Sequence, residues 1–266
     1  MIGVTGATGR VGSRVARDLA DRGVAQRLLV RDPAKLTGYD DVVRSSYDEP
    51  AGLEGIETLF MVSGAEHPDR IGQHTRFLDA AAAAGVQRIV YTSFLNAAPD
   101  ATFTLARHHW ATEQHLRSLG LPFVALRDSM YADFLPLMRG EEGVLRGPAG
   151  KGKFAPVAIE DVARSAVAAL LDPSTTGTFD LTGPELVTMS EVAALLTQRD
   201  LPTTFHDETV EEAWASRASY GAPDWEVEGW VTSYLAIREG ELALVGQGVQ
   251  QLTGREPLGI AALLDR

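Results

Sequence analysis

The chain opens with Ile2-Gly3-Val4-Thr5-Gly6-Ala7-Thr8-Gly9-Arg10-Val11-Gly12, and this stretch decides its fold. A short β-branched run leads into a glycine turn, and an amphipathic stretch over residues 10–22 follows directly. Strand, glycine turn and helix in this order form the dinucleotide-binding fingerprint. Gly6 permits a tight turn, Gly9 lets a pyrophosphate approach the backbone, and Gly12 lets the helix pack closely. The N-terminus of the helix then offers unpaired N–H groups and a partial positive charge to the phosphates. The alternative interpretation is an ordinary strand-to-helix turn.

Short apolar strands and helical segments alternate through the first half of the chain. This alternation predicts an α/β fold with a doubly wound parallel sheet (Rossmann, order 3-2-1-4-5-6) and a ligand across the switch point beside the first strand. The later strands are predicted over 27–31, 41–44, 58–62, 86–92 and 122–126. Helices are predicted over 10–22, 69–84 and 104–119, with shorter helical turns after Asp32 and over 53–56.

Beyond Arg127 the alternation is less regular, which predicts a smaller α/β C-terminal lobe. Helices are predicted over 133–139, 159–171 and 188–198, a loop over 147–153, a strand over 179–183, and small helices around Trp214, Trp225 and Trp230. We expect residues 1–130 to form the dinucleotide-binding Rossmann domain and residues 131–266 to form the smaller substrate-binding lobe. Later segments of the chain are expected to return to the first domain.

The composition argues against several classes of function. The formal charge of −12, from 24 basic and 36 acidic residues, argues against non-specific binding to nucleic acid. The absence of cysteine excludes disulfides, a thiolate nucleophile and a zinc–thiolate site, and no metal is expected. Because the first predicted strand begins at residue 2 and no apolar run could span a bilayer, we expect a cytoplasmic protein without a signal peptide. The sequence is compatible with a homodimer without indicating one.

The end of the second strand bears on the choice of cofactor. A carboxylate there accepts hydrogen bonds from the ribose hydroxyls of NAD, whereas an arginine pairs with the 2′-phosphate of NADP. Arg31 comes first, and Asp32 caps the helical turn that Pro33 opens. Arg31, together with Lys35 and Arg10, therefore favours NADPH. The alternative is that Arg31 is a solvated residue at a strand end.

Several motifs together suggest a family. They are Val4-Thr5-Gly6-Ala7-Thr8-Gly9, Leu29-Val30-Arg31-Asp32-Pro33-Ala34-Lys35, Tyr91-Thr92-Ser93, Leu126-Arg127-Asp128 with Tyr131, and Leu252-Thr253-Gly254-Arg255. The combination resembles the NmrA-like branch of the atypical short-chain dehydrogenase/reductases, and within it type 2 NADPH:quinone oxidoreductases and triphenylmethane reductase. This resemblance implies NADPH binding in the larger lobe and a substrate cleft between the lobes. Two positions depart from the pattern, since such reductases usually carry Gln at the place of Arg10 and Asn at the place of Asp128.

The residues expected to bind NADPH lie in the glycine turn and at the carboxyl ends of the strands. They are Gly6, Ala7, Thr8, Gly9, Arg10, Val11, Gly12, Arg31, Lys35, Val62, Ser63, Gly64, Thr92, Ser93, Arg127 and Asp128. The side chains expected to line the catalytic pocket are those of Ser93, His109 and Tyr131.

The acid/base dyad of short-chain dehydrogenases, Tyr-x-x-x-Lys, is missing from the predicted helix over 104–119. By the family register, Leu105 stands at the tyrosine position and His109 at the lysine position. Alcohol oxidation, ketone reduction and sugar-nucleotide epimerisation need that acid/base pair and therefore lose support. His109 is a candidate proton donor because histidine titrates near neutral pH, and the alternative is a histidine packed beneath the cleft.

Three functions remain open at this point. The first is an NADPH-dependent oxidoreductase that transfers hydride to a quinone or a similar planar conjugated acceptor. The second is a non-catalytic NADP-sensing regulatory protein, and the third is a nucleotide-sugar epimerase or dehydratase. The aromatic stretch over 214–234 could cover a planar acceptor or simply pack within the smaller lobe. The first function is our hypothesis, because a quinone delocalises the charge of hydride attack and needs no strong enzyme acid.

Overall fold

A seven-stranded parallel sheet lies at the centre of the computed structural model, which describes residues 1–266. The order is β3-β2-β1-β4-β5-β6-β8, so the predicted order is confirmed, with β8 added beside β6. The strands are β1 (Ile2–Thr5), β2 (Gln26–Val30), β3 (Val42–Arg44), β4 (Thr58–Met61), β5 (Arg88–Phe94), β6 (Phe123–Asp128), β7 (Val144–Gly147), β8 (Gly177–Leu181) and β9 (Thr204–Asp207). The central strands are apolar and buried because helices cover both faces of the sheet.

Nine helices accompany the strands. They are α1 (Arg10–Asp21), α2 (Arg70–Ala83), α3 (Thr104–Ser118), α4 (Ile159–Leu171), α5 (Met189–Thr197), α6 (Val210–Arg217), α7 (Asp224–Arg238), α8 (Gly248–Thr253) and α9 (Ile260–Leu264). Helices α1 and α4 pack on one face of the sheet, and α2 and α3 pack on the other. Gly85 and Gly120, with φ of +91° and +67°, follow α2 and α3 as predicted, since glycine accepts the left-handed conformation. No helix has the length and apolar character needed to cross a bilayer.

The structure corrects three local predictions. Residues 53–56 form a turn rather than a helix, because Gly55 takes a φ of +79° there. The helix predicted over 133–139 is only a 3-10 turn at Ala132–Phe134 followed by further turns. The sequence also gave no sign of the second sheet, in which β7 and β9 pair in parallel, and the end of β7 occupies the start of the predicted loop.

The strand order reverses between β1 and β4, which run beside each other at the centre of the sheet. The connections from β1 and β4 therefore leave towards opposite faces, and a crevice opens at the carboxyl ends of these strands. The glycine turn follows β1, and Val62, Ser63 and Gly64 follow β4. The fold thus brings two of the predicted cofactor-binding segments to one crevice.

Candidate active site

The glycine turn between β1 and α1 forms a cradle at this crevice. Gly6 takes a φ of +63°, and the N–H of Gly9 donates to the Gly6 carbonyl oxygen at 2.8 Å. A Cβ atom built at Gly12 would lie 2.3 Å from that same oxygen, so only glycine permits this packing of α1. No side chain caps α1, and no acidic residue lies in its first turn. The uncapped N–H groups are therefore suited to an anionic ligand.

A cleft of about 310 Å³ extends from this cradle across the ends of β1, β2 and β4. Its lining includes Gly6, Thr8, Gly9, Arg31, Ser45, Ser46, Tyr47, Val62, Ser63 and Gly64. Arg31 lines the cleft together with Ser45 and Ser46 of the segment that follows β3, where the Ser45 N–H donates to the carbonyl oxygen of Val30 at 2.9 Å. Lys35 lies outside the lining, after the 3-10 turn that Asp32 caps. The cleft is therefore lined by a guanidinium and two serine residues as well as by the glycine turn with its free helix N–H groups.

Two threonines hold the loop that follows β4. Thr5 Oγ1 accepts a hydrogen bond from the N–H of Val62 at 2.9 Å, and Thr92 Oγ1 accepts one from the N–H of Ser63 at 2.7 Å. Both hydroxyls come from neighbouring strands, β1 and β5, and both are buried. Thr92, which the sequence analysis assigned to the cofactor, therefore supports the cleft wall from behind.

Tyr47 is a residue of the cleft that sequence reasoning missed. Its hydroxyl donates to the carbonyl oxygen of Val62 and lies 2.8 Å from Thr5 Oγ1. Burial raises the pKa of Tyr47 to about 12, so the phenol is neutral at physiological pH. The sequence showed only a polar turn after the third strand, and nothing local indicated that this ring would reach across to β4.

His109 belongs to a buried network beneath the loop after β4. Arginine can only donate, so Nε2 of His109 accepts from Arg70 at 3.1 Å, and its Nδ1–H donates to the Tyr91 hydroxyl at 3.0 Å. Burial, and then the charge of Arg70, lowers the pKa of His109 well below its usual value. Both ring nitrogens are used within the protein, so His109 has no free N–H for an acceptor. The structure thus supports the packed histidine over the proton donor.

Arg70 is the centre of that network and was not predicted. Its side chain is 4% exposed, its Nε donates to the Gly64 carbonyl oxygen at 2.8 Å, and no carboxylate forms an ion pair with it. His74 Nε2 accepts a hydrogen bond from the Gly64 N–H at 2.8 Å. The N–H and the carbonyl oxygen of Gly64 are therefore both hydrogen-bonded, which fixes the loop after β4. Burial lowers the pKa of Arg70 and also that of His74. The network positions Gly64 in the cleft wall.

Ser93 and Arg127 are bonded to a buried carboxylate that the sequence did not reveal. Ser93 Oγ donates to Glu113 Oε1 at 2.7 Å, and Arg127 donates to both carboxylate oxygens at 2.8 and 2.7 Å. Glu113 is fully buried on α3, and Arg117 adds a longer ion pair at 3.3 Å. That Ser93 and Arg127 contact the cofactor or acceptor stays a prediction, and in this structure their side chains join β5 and β6 to α3.

Asp128 and Tyr131 form a carboxyl–phenol pair at the carboxyl end of β6. The Tyr131 hydroxyl donates to Asp128 Oδ2 at 2.8 Å, whereas Oδ1 of Asp128 has no hydrogen-bond partner. Asp128 is 2% exposed, and this burial raises the pKa of its carboxyl well above the usual value. Burial and the neighbouring Asp128 raise the pKa of Tyr131 as well. Burial therefore favours the protonated, neutral form of this pair.

The pair is connected to the glycine turn through aromatic contacts. The Arg10 guanidinium lies 4.7 Å from the centre of the Phe134 ring, and the rings of Phe134 and Tyr131 are 5.9 Å apart. Arg10 therefore stacks on Phe134, a contact that the sequence did not predict. The contacts place Tyr131 on the α1 side of the crevice.

A second cleft of about 770 Å³ lies in the C-terminal half of the chain. Its lining includes Met138, Val144, Arg146, Tyr220, Trp230 and Tyr234. Trp230 also lies beside the carboxylate of Glu66, which lines the first cleft and whose pKa is raised by burial. Met138 donates its N–H to the carbonyl oxygen of Phe134 at 3.0 Å. The second cleft therefore adjoins the first on one side and the turn that carries Tyr131 on another.

Known proteins match this chain along nearly its whole length. The NmrA-like family profile matches residues 1–215. A (4-alkanoyl-5-oxo-2,5-dihydrofuran-3-yl)methyl phosphate reductase of Streptomyces griseus is 35% identical over 271 residues, covering 96% of this chain and 93% of the relative. The Escherichia coli NADPH-dependent quinone oxidoreductase complexed with NADPH has a TM-score of 0.89 at 29% identity, covering 100% of this chain and 99% of that one. The Citrobacter sp. triphenylmethane reductase complexed with NADP(H) has a TM-score of 0.88 at 26% identity, with the same coverage.

Proposed function

The chain belongs to the NmrA-like family, and on that premise we propose that it is an NADPH-dependent reductase of a quinone or a similar planar conjugated acceptor. The names of the relatives support a general oxidoreductase role, since they refer to reduction of a quinone, of triphenylmethane and of an oxo-dihydrofuran. These relatives differ in acceptor but share the reductase role. We therefore propose NADPH as the cofactor and reduction as the class of reaction. A conjugated acceptor is the more specific part of the proposal.

NADPH fits the residues present in the first cleft. The backbone of Gly12 packs closely against that of Gly6. The N–H groups at the start of α1 have no side-chain cap and are suited to a pyrophosphate. Arg31 at the end of β2, with Ser45 and Ser46 beside it, offers a charge and hydroxyls for a ribose 2′-phosphate. When bound, NADPH supplies the hydride. Both groups of phosphate-binding residues in this proposal line the same cleft.

The observation that carries the choice of acceptor is the absence of an acid/base dyad on α3. Leu105 is buried where the family register puts tyrosine, and it lies against Gly229 of α7. His109, at the lysine position, is bonded to Arg70 and Tyr91. A simple ketone or alcohol needs a strong acid or base at that position. A conjugated acceptor does not, because its ring spreads the charge that hydride attack creates.

We propose the second cleft as the entrance for the acceptor. Its volume of about 770 Å³ suits a small molecule, and its aromatic lining, with Tyr220, Trp230 and Tyr234, suits a planar one. The contribution of the protein would be to stack the ring, orient it and keep water away from the reacting atoms. This extends the hypothesis that the aromatic stretch over 214–234 covers a planar acceptor.

The test mixes the purified protein with NADPH and a panel of acceptors under anaerobic conditions. The panel contains benzoquinones, naphthoquinones, triphenylmethane dyes and an α,β-unsaturated lactone, with simple secondary alcohols and ketones as comparison substrates. We expect NADPH oxidation that depends on a conjugated acceptor. Tight NADPH binding without oxidation by any acceptor would contradict the proposal and favour the NADP-sensing alternative. Alcohol oxidation as fast as quinone reduction would contradict the assignment of the acceptor.

A further inference from the structure

The Asp128–Tyr131 pair stands out because the cradle and cleft described above do not use it. Asp128 follows Arg127 along β6, but its side chain points to the opposite face of the sheet from Glu113. Its neighbours on the adjacent strands are Phe94 and Leu181, neither of which is ionisable. A carboxyl group with an unpartnered oxygen, buried to 2% exposure, is costly unless the group holds a proton or has a function.

Tyr131 gives this buried carboxyl a route to the crevice. Asp128 itself has almost no exposed surface, but its hydrogen-bond partner Tyr131 is only partly buried. The Tyr131 ring packs against Phe134, which in turn lies under the Arg10 guanidinium at the start of α1. Phe134 also begins the turn that reaches Met138 in the second cleft. Tyr131 is thus linked through Phe134 both to the start of α1, beside the pyrophosphate cradle, and to the turn that enters the proposed acceptor cleft.

We propose that Tyr131 donates a proton to the acceptor oxygen and that Asp128 resupplies the phenol. This inference rests on the proposed reductase function and makes it more specific. Tyr131 would touch the substrate as the catalytic acid, and Asp128 would act through it as a positioning and proton-holding residue. Hydride attack on a conjugated acceptor needs no strong acid, and the relay on β6 adds a proton for the reduced oxygen, which α3 with Leu105 and His109 does not supply.

The step balances with one hydride and one proton. Bound NADPH would supply the hydride, one hydrogen with an electron pair, that reduces the conjugated acceptor. With Asp128 protonated, its O–H would donate to the Tyr131 oxygen and leave the Tyr131 O–H for the acceptor. The Tyr131 O–H bond breaks as a new O–H bond forms on the acceptor oxygen, and the Asp128 carboxyl proton passes to the phenolate oxygen. Solvent then returns a proton to Asp128 through Tyr131. The sum is acceptor, NADPH and one proton giving the reduced acceptor and NADP⁺.

The sign of the pH dependence follows from the groups around the pair. Asp128 and Tyr131 each affect the pKa of the other, and Asp133 also affects that of Tyr131. The Arg10 guanidinium lies over the ring of Phe134. Burial raises the pKa of Asp128, so the folded protein binds a proton that the unfolded chain releases. The free energy of unfolding therefore falls as pH rises from the unfolded pKa towards the folded one. The relay loses its proton over the same upper range, so turnover should decline there.

The experiment compares the wild type with Asp128→Asn, Tyr131→Phe and the double variant. Asparagine keeps the volume and can still accept from Tyr131, but it carries no transferable proton. The first readout needs no cofactor: thermal unfolding is followed against pH in the wild type and in Asp128→Asn. We expect that the unfolding free energy of Asp128→Asn does not fall as pH rises over this range, and that the variant is more stable than the wild type at neutral pH. Its folding is therefore not at risk.

The second readout is kcat against pH in the reduction of a naphthoquinone, with single turnovers in H₂O and D₂O. We expect Tyr131→Phe to lower kcat about a hundredfold and Asp128→Asn about tenfold, within the range of general acid catalysis. The decline of kcat at high pH and the solvent isotope effect should disappear in both single variants. The double variant should be no slower than Tyr131→Phe, because the two residues act in series. NADPH affinity should change by less than about threefold in Tyr131→Phe, since this hydroxyl is not among the groups expected to bind the cofactor.

Asp161→Asn is the matched control. Asp161 is also buried with a raised pKa, but it lies on α4, where it pairs with Arg164. This variant should retain the wild-type kcat profile. If Asp128→Asn also retains both kcat and the alkaline decline, or if Tyr131→Phe is not slowed, the relay is overturned while the reductase function stands. If the wild type binds NADPH but reduces no acceptor, the proposed function fails, and the relay with it.

Discussion

Replacing Gly9 by valine is expected to abolish NADPH binding while the fold survives. Gly9 has φ of −94° and ψ of 178°, a conformation open to any residue. A Cβ atom at this position meets only the Gly6 carbonyl oxygen, at 3.2 Å. The branched side chain is accommodated if this oxygen shifts by a few tenths of an ångström, and it then fills the space over the α1 N-terminus that a pyrophosphate needs. The loss of a glycine N-cap should cost about 1 kcal/mol of unfolding free energy.

The loss of affinity follows from the contacts that the valine prevents. A pyrophosphate kept away from the helix terminus loses at least two charge-assisted hydrogen bonds, each contributing about 1.5–3 kcal/mol. Calorimetric titration should therefore show NADPH binding weakened roughly a hundredfold to ten-thousandfold. Gly12→Ala is the contrasting control, since its Cβ would lie 2.3 Å from the Gly6 oxygen and should lower the thermal stability strongly. A folded Gly9→Val protein with wild-type NADPH affinity would refute the assignment of the glycine cradle.

The other predictions concern single side chains of the site. Arg31→Ala should weaken NADPH binding about tenfold to a hundredfold and leave NADH nearly unchanged in parallel titrations, because one phosphate contact is lost; equal losses would contradict the choice of cofactor. His109→Ala should lower the unfolding free energy by about 3 kcal/mol, since it removes the acceptor of the Arg70 Nη2 group, which stays buried and charged. The same variant should slow quinone reduction at most about a hundredfold, and a complete loss of turnover in a folded protein would restore His109 as the acid. Glu113→Gln should cost about 3–5 kcal/mol in denaturant unfolding, because Arg127 keeps a partly buried charge without its carboxylate; an unchanged midpoint would show that the network is dispensable.

The cofactor cleft was largely predictable because its parts are local in sequence. The glycine turn, Arg31 and the segment from Val62 to Gly64 each follow directly after a strand, and parallel strands bring their carboxyl ends to one edge. The side chains that hold this cleft were not predictable in the same way. Tyr47 and Val62, which are hydrogen-bonded, are 15 residues apart in the sequence, and Arg70 and His109 are 39 residues apart. No periodicity or spacing signals such contacts, since they depend on how the elements pack.

What the sequence by itself determined is the sheet, its strand order and the helix that opens on the glycine turn. These follow from short-range physics: β-branched runs, turn glycines, and apolar faces that must be covered on both sides of a parallel sheet. Tertiary packing alone decided the chemistry of the polar side chains. It turned Ser93 and Arg127 towards Glu113, enclosed His109 beside Arg70, and buried Asp128 with only Tyr131 as a partner. The protonation of such groups depends on burial and on their neighbours, which the fold assembles from distant parts of the chain.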